Sequence, residues 1–457
     1  MLNIIDHFFE TLSGWLWGWP MIIALFGCHL FLTIRLRCPQ RKLFTGIKLS
    51  ISKEEGAAGD VSQFGALVTS LAATIGIGNI VGVATAVALG GPGAVMWCWM
   101  SGILGIATKY AEALLAVKYR VKGADGKMIG GPMYAIERGM GAKWRWLGWL
   151  FALFTVFAAF GIGSSVQSNA FATVMSDTIG LSKYISGAII SIAVAWVTLF
   201  GVKGIAKVCA RLVPFMTLLY LGGCVYILIA NAPFVGESIR LIVTSAFSPQ
   251  AAGGGFVGAA VITAARYGIA RGLFSNESGM GSAPIVAAAA KSRNPVRQAL
   301  ISSTGTFWDT VVICAITGIV LVSSVVAHPD IDSLGDGLLT EIAFSKIPYV
   351  GGLILMVCLA TFSFSTILGW SYYAEKAVQY LGGTKPLKYF RVLWILVIFA
   401  GAVINLRVVW NIADVMNVFM TIPNIIVLVV LSGVVAKETK HYLWEDRLDE
   451  YSDDYKE

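Results

Sequence analysis

The chain has 457 residues, 57% of them apolar and only 13% charged, with a mean hydropathy of +0.75. Ordinary soluble domains carry roughly 25% charged residues, so a soluble fold is excluded and a polytopic, all-α membrane protein is indicated. The net charge of +8 would suggest nucleic acid in a soluble protein, but here it reads as the positive-inside bias of the loops.

Windows of about 20 apolar residues mark about eleven spans. The first ten residues are acidic and lack a basic leader, so the first span, near residues 15–34, is expected to stay in the protein. Its start carries Trp15, Trp17 and Trp19, an interfacial aromatic belt. Further spans are expected near 64–89, 94–117, 147–175, 184–201, 212–231, 256–288, 298–325, 349–378, 390–406 and 411–435. Lys and Arg cluster in alternate loops, at 35–53, 118–145, 203–211, 291–297, 385–391 and from 437 onward. The opposite loops hold few cations, and one carries the acidic run Asp330, Asp332, Asp336 and Glu341. This asymmetry predicts a cytoplasmic C-terminus and an external N-terminus.

The expected organisation is an N-terminal helix with a basic segment (1–63), a five-helix repeat (64–231), an external amphipathic connection (232–255), a second five-helix repeat (256–436) and a tail (437–457). The two repeats enter from opposite sides, and each opens on an interrupted helix. In the first, Gly76, Gly78 and Gly82 with Asn79 make the middle of the run its worst helix former. In the second, the run Ser275-Asn276-Glu277-Ser278-Gly279-Met280-Gly281 does the same. Freed backbone groups cost several kcal/mol each in hydrocarbon unless something satisfies them. Two broken spans in corresponding positions point to the binding site of a secondary transporter.

The seven cysteines and four histidines are scattered, which implies neither a disulfide framework nor a transition-metal site. Paired carboxylates, H-E-x-x-H, a nucleophile elbow and a phosphate-binding loop are all missing, which argues against an enzyme. No ring-forming filter motif argues for a channel.

A small zwitterion needs an anion seat and a cation seat side by side. Where the second half-helix restarts, the N–H groups of Gly76, Ile77 and Gly78 lie at a positive dipole end suited to a carboxylate. Where the first half ends, near Ala72, Ala73 and Thr74, bare carbonyls suit an ammonium group or a hard cation. At the second break Phe274 and Ser275 offer carbonyls, Gly279 offers uncovered backbone, and Asn276 is a further candidate for the substrate. The facing run Ala360-Thr361-Phe362-Ser363-Phe364-Ser365-Thr366 supplies hydroxyls, and Trp370 follows Thr366 by one turn. With Phe274 and Met280, Trp370 would wall a small pocket. Gln167 and Asn169 are further candidates for the amino or carboxylate group, with interhelical bonding as the competing reading. The competing reading for Ser365 and Thr366 is bonding back to their own helix.

The segment Gly90-Gly-Pro-Gly-Ala-Val-Met-Trp97-Cys-Trp99-Met-Ser-Gly-Ile-Leu-Gly105 resembles the signature of the alanine/glycine:cation symporter family. Thr74-Ile-Gly-Ile-Gly-Asn79, Gly130-Gly-Pro-Met-Tyr134 and Ser275-Asn-Glu-Ser-Gly-Met-Gly-Ser-Ala-Pro284 strengthen the likeness. Met96 and Cys98 depart from the usual Phe and Met without touching a polar group. The resemblance implies a leucine-transporter-like fold and sodium-driven uptake of alanine or glycine. It places sodium between the carbonyls of Ala72, Ile75 and Phe362 and the hydroxyls of Ser365 and Thr366. The expected partners are the bilayer and a small amino acid, with no nucleic acid and no obligate protein partner. The alternative coupling ion is a proton, with Glu277 titrating. Lys109 and Glu112, three apart, are expected to pair. Arg266 and Arg271 are expected to meet an acidic partner at an outer gate.

Overall fold

The computed structural model describes residues 2–52, 54, 57–123, 125–248, 261–328, 338–404 and 407–452. The expected start of the second repeat at 256, the end of the connection at 249–255 and the acidic residues Asp330, Asp332 and Asp336 lie outside the described residues.

A backbone that cannot reach water must close its hydrogen bonds internally, and the chain does so almost wholly as helix. Helices α1 (Leu2–Leu16) and α2 (Trp19–Arg35) form an N-terminal arm, followed by α3 (Leu43–Ser50). Helix α4 (Gln63–Thr74) starts where the Ser62 hydroxyl accepts from Gly65 N at 3.0 Å, a side-chain cap for an orphan amide. After a 54° bend the span resumes as a wide, π-type turn, Gly78–Gly82, and α5 (Val83–Gly90). Next come α6 (Gly93–Lys118), an antiparallel hairpin of β1 (Val121–Lys122) and β2 (Met128–Ile129), and α7 (Pro132–Ala135). Helices α8 (Arg145–Ala158) and α9 (Val166–Ile179) join through another wide turn, Ala159–Ser165. Helices α10 (Lys183–Thr198), α11 (Gly201–Ala230) and α12 (Ala232–Phe247) follow.

The second broken span is α13 (Val261–Asn276), a non-helical turn and the short α14 (Pro284–Ala287). Helices α15 (Pro295–Thr306) and α16 (Ala315–Ala327) flank a third wide turn, and α17 (Leu338–Ser345) is short. The chain then forms α18 (Gly351–Gly382), α19 (Leu387–Val403), α20 (Arg407–Val430) and α21 (Ser432–Thr439).

Among the described residues, seven helices are long and apolar enough to cross a membrane, or eight with the bent pair 63–90 counted as one. The other three expected spans, at 184–201, 256–288 and 390–406, fall on α10, α13–α14 and α19. Helix α12 overlaps the expected amphipathic connection, with Glu237 and Arg240 exposed and part of the apolar set exposed beside them. Phe234, Ile239 and Val243 are exposed, whereas Ser238 and Ser245 are buried with Ile242 against α6 and α16. Apolar residues turned outward suit a helix bordered by lipid, and the buried Ser238 hydroxyl closes on its own helix, donating to Phe234 O at 2.7 Å.

Small residues bring the broken spans against the scaffold. Helices α6 and α13 touch where Gly268 leaves room for the Ala94 carbonyl and Gly272 for Ser101, the small-residue packing that substitutes for hydrophobic drive inside a bilayer. The glycine at 268 is therefore a steric requirement. Gly268→Val should destabilise the fold by about 1–3 kcal/mol through overpacking, seen as a lower melting temperature of the detergent-solubilised protein.

Candidate functional site

At the first break the helix ends at Thr74 and the chain turns through an extended Ile75. Asn79 holds the corner. Its Oδ1 accepts from Gly76 N at 2.8 Å, and its Nδ2 donates to Asp309 Oδ1 at 2.7 Å and to the Asp309 carbonyl at 3.2 Å. Asp309 lies in the turn between α15 and α16 and also accepts from Ser275 Oγ at 2.8 Å and Thr310 Oγ1 at 2.7 Å. Asn79 and Ser275 are thereby tied to one buried carboxylate, and the two broken spans meet directly as well: a side chain at Gly78 would start 3.4 Å from the Phe274 ring. The sequence reading expected the Gly76 amide to be bare; Asn79 takes it. Among the described residues, no backbone hydrogen bond links Ile77 N or Gly78 N to the first half-helix.

Helix α18 faces this corner. A side chain at Gly76 would begin 2.7 Å from Thr366 Oγ1, and one at Gly369 would begin 2.6 Å from Ala73 Cβ. The Thr366 hydroxyl is buried and has no hydrogen-bond partner among the described residues. Ser365 differs: its hydroxyl closes back on the Phe362 carbonyl at 2.9 Å. Thr74 also bonds back, to Ser70 O at 3.2 Å. Trp370 is 1% exposed, its Cβ lies 2.6 Å from where a Gly163 side chain would start, and its Nε1 donates to Glu277 Oε1 at 3.1 Å. Gln167 donates to Ile162 O at 3.2 Å and leaves a buried Oε1 without a partner. Asn169 instead bonds across to the Gly401 and Ile404 carbonyls, both at 3.1 Å, and stays out of the cluster.

The second break is finished by protein groups. Gly279 and Gly281 take φ of +90° and +85°, a left-handed path that favours glycine. Their N–H groups donate to Glu112 Oε1 at 3.0 and 2.9 Å. Asn424 Nδ2 donates to the same oxygen at 2.7 Å and to the Gly279 carbonyl at 2.8 Å. The expectation of uncovered backbone at Gly279 is thus corrected, because a carboxylate from α6 and an amide from α20 cover it. The expected Lys109–Glu112 pair is corrected too: Lys109 Nζ is buried without a hydrogen-bond partner, and Glu112 turns to the break. Glu277 has both oxygens engaged, by Trp370 and by Ser282 Oγ. Asn276 caps Ser278 N at 2.8 Å and donates to Thr310 Oγ1 at 3.1 Å. Met280 lies buried beside Asn417.

A cavity of about 300 Å³ reaches the first break at Ile77 and Val81, walled by Thr173 of α9 and Leu359 of α18, with Asp177 and Glu341 at its mouth. Partial burial, with Asp177 nearby, raises the Glu341 carboxyl above its ordinary range. The opposite end is shut. Asp60 N and Val61 N donate to Ala289 O at 2.8 and 3.2 Å, and Lys291 N donates to Val61 O at 2.9 Å. Arg120 locks this seam, donating to Ala58 O at 3.0 Å on one side and to Ala290 O at 2.8 Å on the other.

Sequence reasoning missed Glu112, Arg120, Asp309 and Asn424 as parts of this machinery. The one available signal was their cost: ionisable or amide groups at membrane depth need partners.

Two interrupted helices that meet near their breaks, with a cavity reaching one side and a hydrogen-bonded seam on the other, define a secondary transporter of the leucine-transporter-like fold. Solved structures agree: MhsT in complex with L-phenylalanine superposes with a TM-score of 0.60 at 17% identity, covering 86% of this chain and 95% of that one. A variant of the Eremococcus coleocola manganese transporter gives 0.55 at 15%, covering 82% and 80%. The chain belongs to the sodium:alanine symporter family, whose family model matches residues 2–456. It is 47% identical over 439 residues to the sodium/alanine symporter AgcS of Methanococcus maripaludis, covering 95% of this chain and 96% of that protein. It is 35% identical to the amino-acid carrier protein AlsT of Bacillus subtilis, covering 96% and 93%.

Removing the clamp on the second break should be costly. Glu112→Ala leaves two buried N–H groups unpaired at about 1–3 kcal/mol each, which predicts a marked fall in melting temperature. Glu112→Gln, which keeps an acceptor oxygen, should recover much of it in the same measurement.

Proposed function

We propose that the protein is a sodium-coupled symporter that carries alanine and glycine into the cell by alternating access. One observation carries this reading: the Thr366 hydroxyl, buried and unpartnered, faces the corner where the first broken helix turns at Gly76. A buried hydroxyl left without a partner costs about 1–3 kcal/mol, and a cation at this corner would satisfy it. Sodium at that corner would take the carbonyls of Ala72, Ile75 and Phe362 with Ser365 and Thr366. Ser365 already approaches the Phe362 carbonyl, which brings two of those oxygens together.

The substrate carboxylate would meet the N–H groups of Ile77 and Gly78, with Gly76 held in place by Asn79. The ammonium group would lie near the Ala73 and Thr74 carbonyls and Gln167 Oε1. Phe274, Met280 and Trp370 would wall the side-chain end, and Trp370, pinned by Glu277 and Gly163, could not retreat before a larger side chain. Ser275 and Asn276 are read as supports of the second break, and Gly279 as a bend closed by Glu112. Glu277, the group that a proton-coupled carrier would titrate, already has both oxygens bonded, which favours sodium.

The reading includes eleven crossings, two inverted five-helix repeats and an external N-terminus, as loop charge suggests. In that orientation the 300 Å³ cavity faces outward, and the Arg120 seam is the cytoplasmic barrier. Sodium binding would fix the corner before the amino acid arrives. The gradient would then supply work, with the membrane potential adding about 2.3 kcal/mol per charge per 100 mV.

Uptake of labelled alanine into proteoliposomes should collapse when external sodium is replaced by choline; uptake that continues unchanged would refute sodium coupling. Thr366→Val should raise the sodium concentration for half-maximal uptake by tenfold or more, about 1.4 kcal/mol, while Thr366→Ser stays near wild type. Arg120→Ala should loosen the inner seam, seen as faster sodium-dependent alanine exchange and faster thiol labelling of a Ser62→Cys probe.

A further inference from the structure

Helix α11 turns a row of cations outward. Lys203, Lys207 and Arg211 follow one another at i, i+4 and i+8 and are all exposed, so they lie on one face of the helix. Lys207 and Arg211, with Val208, Leu212 and Phe215, line a groove of about 400 Å³. Among the described residues, none of the three cations has an ion pair or a hydrogen bond. Arg293, Arg297 and Arg391, in other basic segments, each hold a carboxylate. Farther along the same face of α11 the row turns apolar, with Phe215 and Leu218 exposed. Beside its start, the exposed rings of Trp196 and Phe200 lie with centroids 6.1 Å apart, aromatic side chains of the kind that mark a membrane interface.

We propose that this groove holds an anionic phospholipid of the inner leaflet, with its phosphate on Lys207 and Arg211 and its acyl chains along Leu212, Phe215 and Leu218. A cation at the lipid-facing edge of a span is expensive unless an anion meets it, and here the protein supplies none. Long basic side chains keep their stems on apolar surface while the charge reaches the headgroup layer, and Val208 and Leu212 provide that surface. A zwitterionic lipid fits less well, because its own ammonium group would lie against the same three cations. A free anion would leave the apolar half of the groove bare. The opposite face of α11 backs the transport machinery. Ala206 Cβ lies 3.6 Å from where a Gly65 side chain would start on the first broken span, and Ser365 Oγ of α18 donates to Met216 Sδ at 3.5 Å. A lipid held in the groove therefore sits one helix away from α4 and α18. Its leaflet follows the orientation proposed above, whereas its charge class rests on the groove alone.

Nitroxide quenching in nanodiscs tests the site. Bimane is attached at Leu218→Cys of the full chain in a Cys38→Ser background, the other six cysteines being buried. The discs are phosphatidylcholine doped with doxyl-labelled phosphatidylglycerol or with doxyl-labelled phosphatidylcholine. Half-maximal quenching should need a lower mole fraction of the labelled phosphatidylglycerol, by roughly fivefold for each of the two groove cations, about 1 kcal/mol apiece. Adding Lys207→Gln and Arg211→Gln together should bring the two curves into coincidence. Lys385→Gln, which removes an exposed cation from another basic loop, should leave the preference intact. Coincident curves with the groove unaltered, a preference that survives the double change, or an equal loss in Lys385→Gln each overturn the site. Should the double variant fail to fold, the single changes decide: each should cost roughly fivefold, and a preference kept in both overturns the proposal. Quenching is read without sodium or transport, so its failure leaves the symport reading standing.

Discussion

Breaking a helix inside a bilayer exposes backbone groups that have no water to turn to, and every feature of the centre of this molecule answers that constraint. Four side chains, three of them distant in sequence, close exposed groups at and beside the breaks. Asn79 takes the Gly76 amide, Glu112 takes two amides of the second break, Asn424 takes the Gly279 carbonyl, and Arg120 binds carbonyls from both spans at their inner ends. Each is a charged or amide group whose own burial would be prohibitive alone. The penalty of the break and the penalty of the buried side chain cancel as a pair, which makes the geometry stiff.

The two breaks are consequently unequal. The second is completed from the scaffold by α6 and α20, and Glu277 links it to Trp370 across to α18. The first is completed only in part: its corner is anchored through Asn79 to Asp309, while Thr366 Oγ1 and Gln167 Oε1 around it remain without protein partners. Coupling between them runs through Asp309, which holds Asn79 of one span and Ser275 of the other within hydrogen-bond distance. A shift of either span changes the donor set of that carboxylate, so neither can move without being felt by the other.

Much of this was legible in the sequence, and the limit has a physical origin. Composition gave the class, and the glycine-rich interruptions gave both breaks to within a few residues, because glycine and asparagine depress helix propensity locally. The tryptophan one turn beyond Thr366 followed from helical periodicity, whereas Ser365 followed its competing reading and bonds back to its own helix. The partners of the breaks could not be read, since Glu112 lies about 170 positions from the glycines it holds and Asn424 lies about 310 from Glu112, the spacing set by the fold and by nothing local. Lys109 and Glu112 show the error that results: at i, i+3 they read as a pair, but the unmet amides of the second break compete for the carboxylate and win it with two N–H donors and the Asn424 amide. Asn169 follows its competing reading, interhelical bonding, because two carbonyls at the end of α19 lie within its reach.

Under the proposed function, the same competition bears on how Trp370 would act as a pocket wall. Trp370 would be a poor filter if its ring could swing aside. It is held by the Glu277 carboxylate at its indole nitrogen and by the backbone at Gly163 against its Cβ, while Tyr373 meets it edge-on with ring centroids 5.7 Å apart. Rejecting a larger side chain then means moving a ring that is hydrogen-bonded, packed and linked to the second break, instead of rotating one free torsion. The Trp370 indole and the turn of the second break are therefore held by the same carboxylate. Loosening one should loosen the other, because Glu277 sits in a left-handed backbone conformation (φ 54°) that the hydrogen bonds at both its oxygens help to hold.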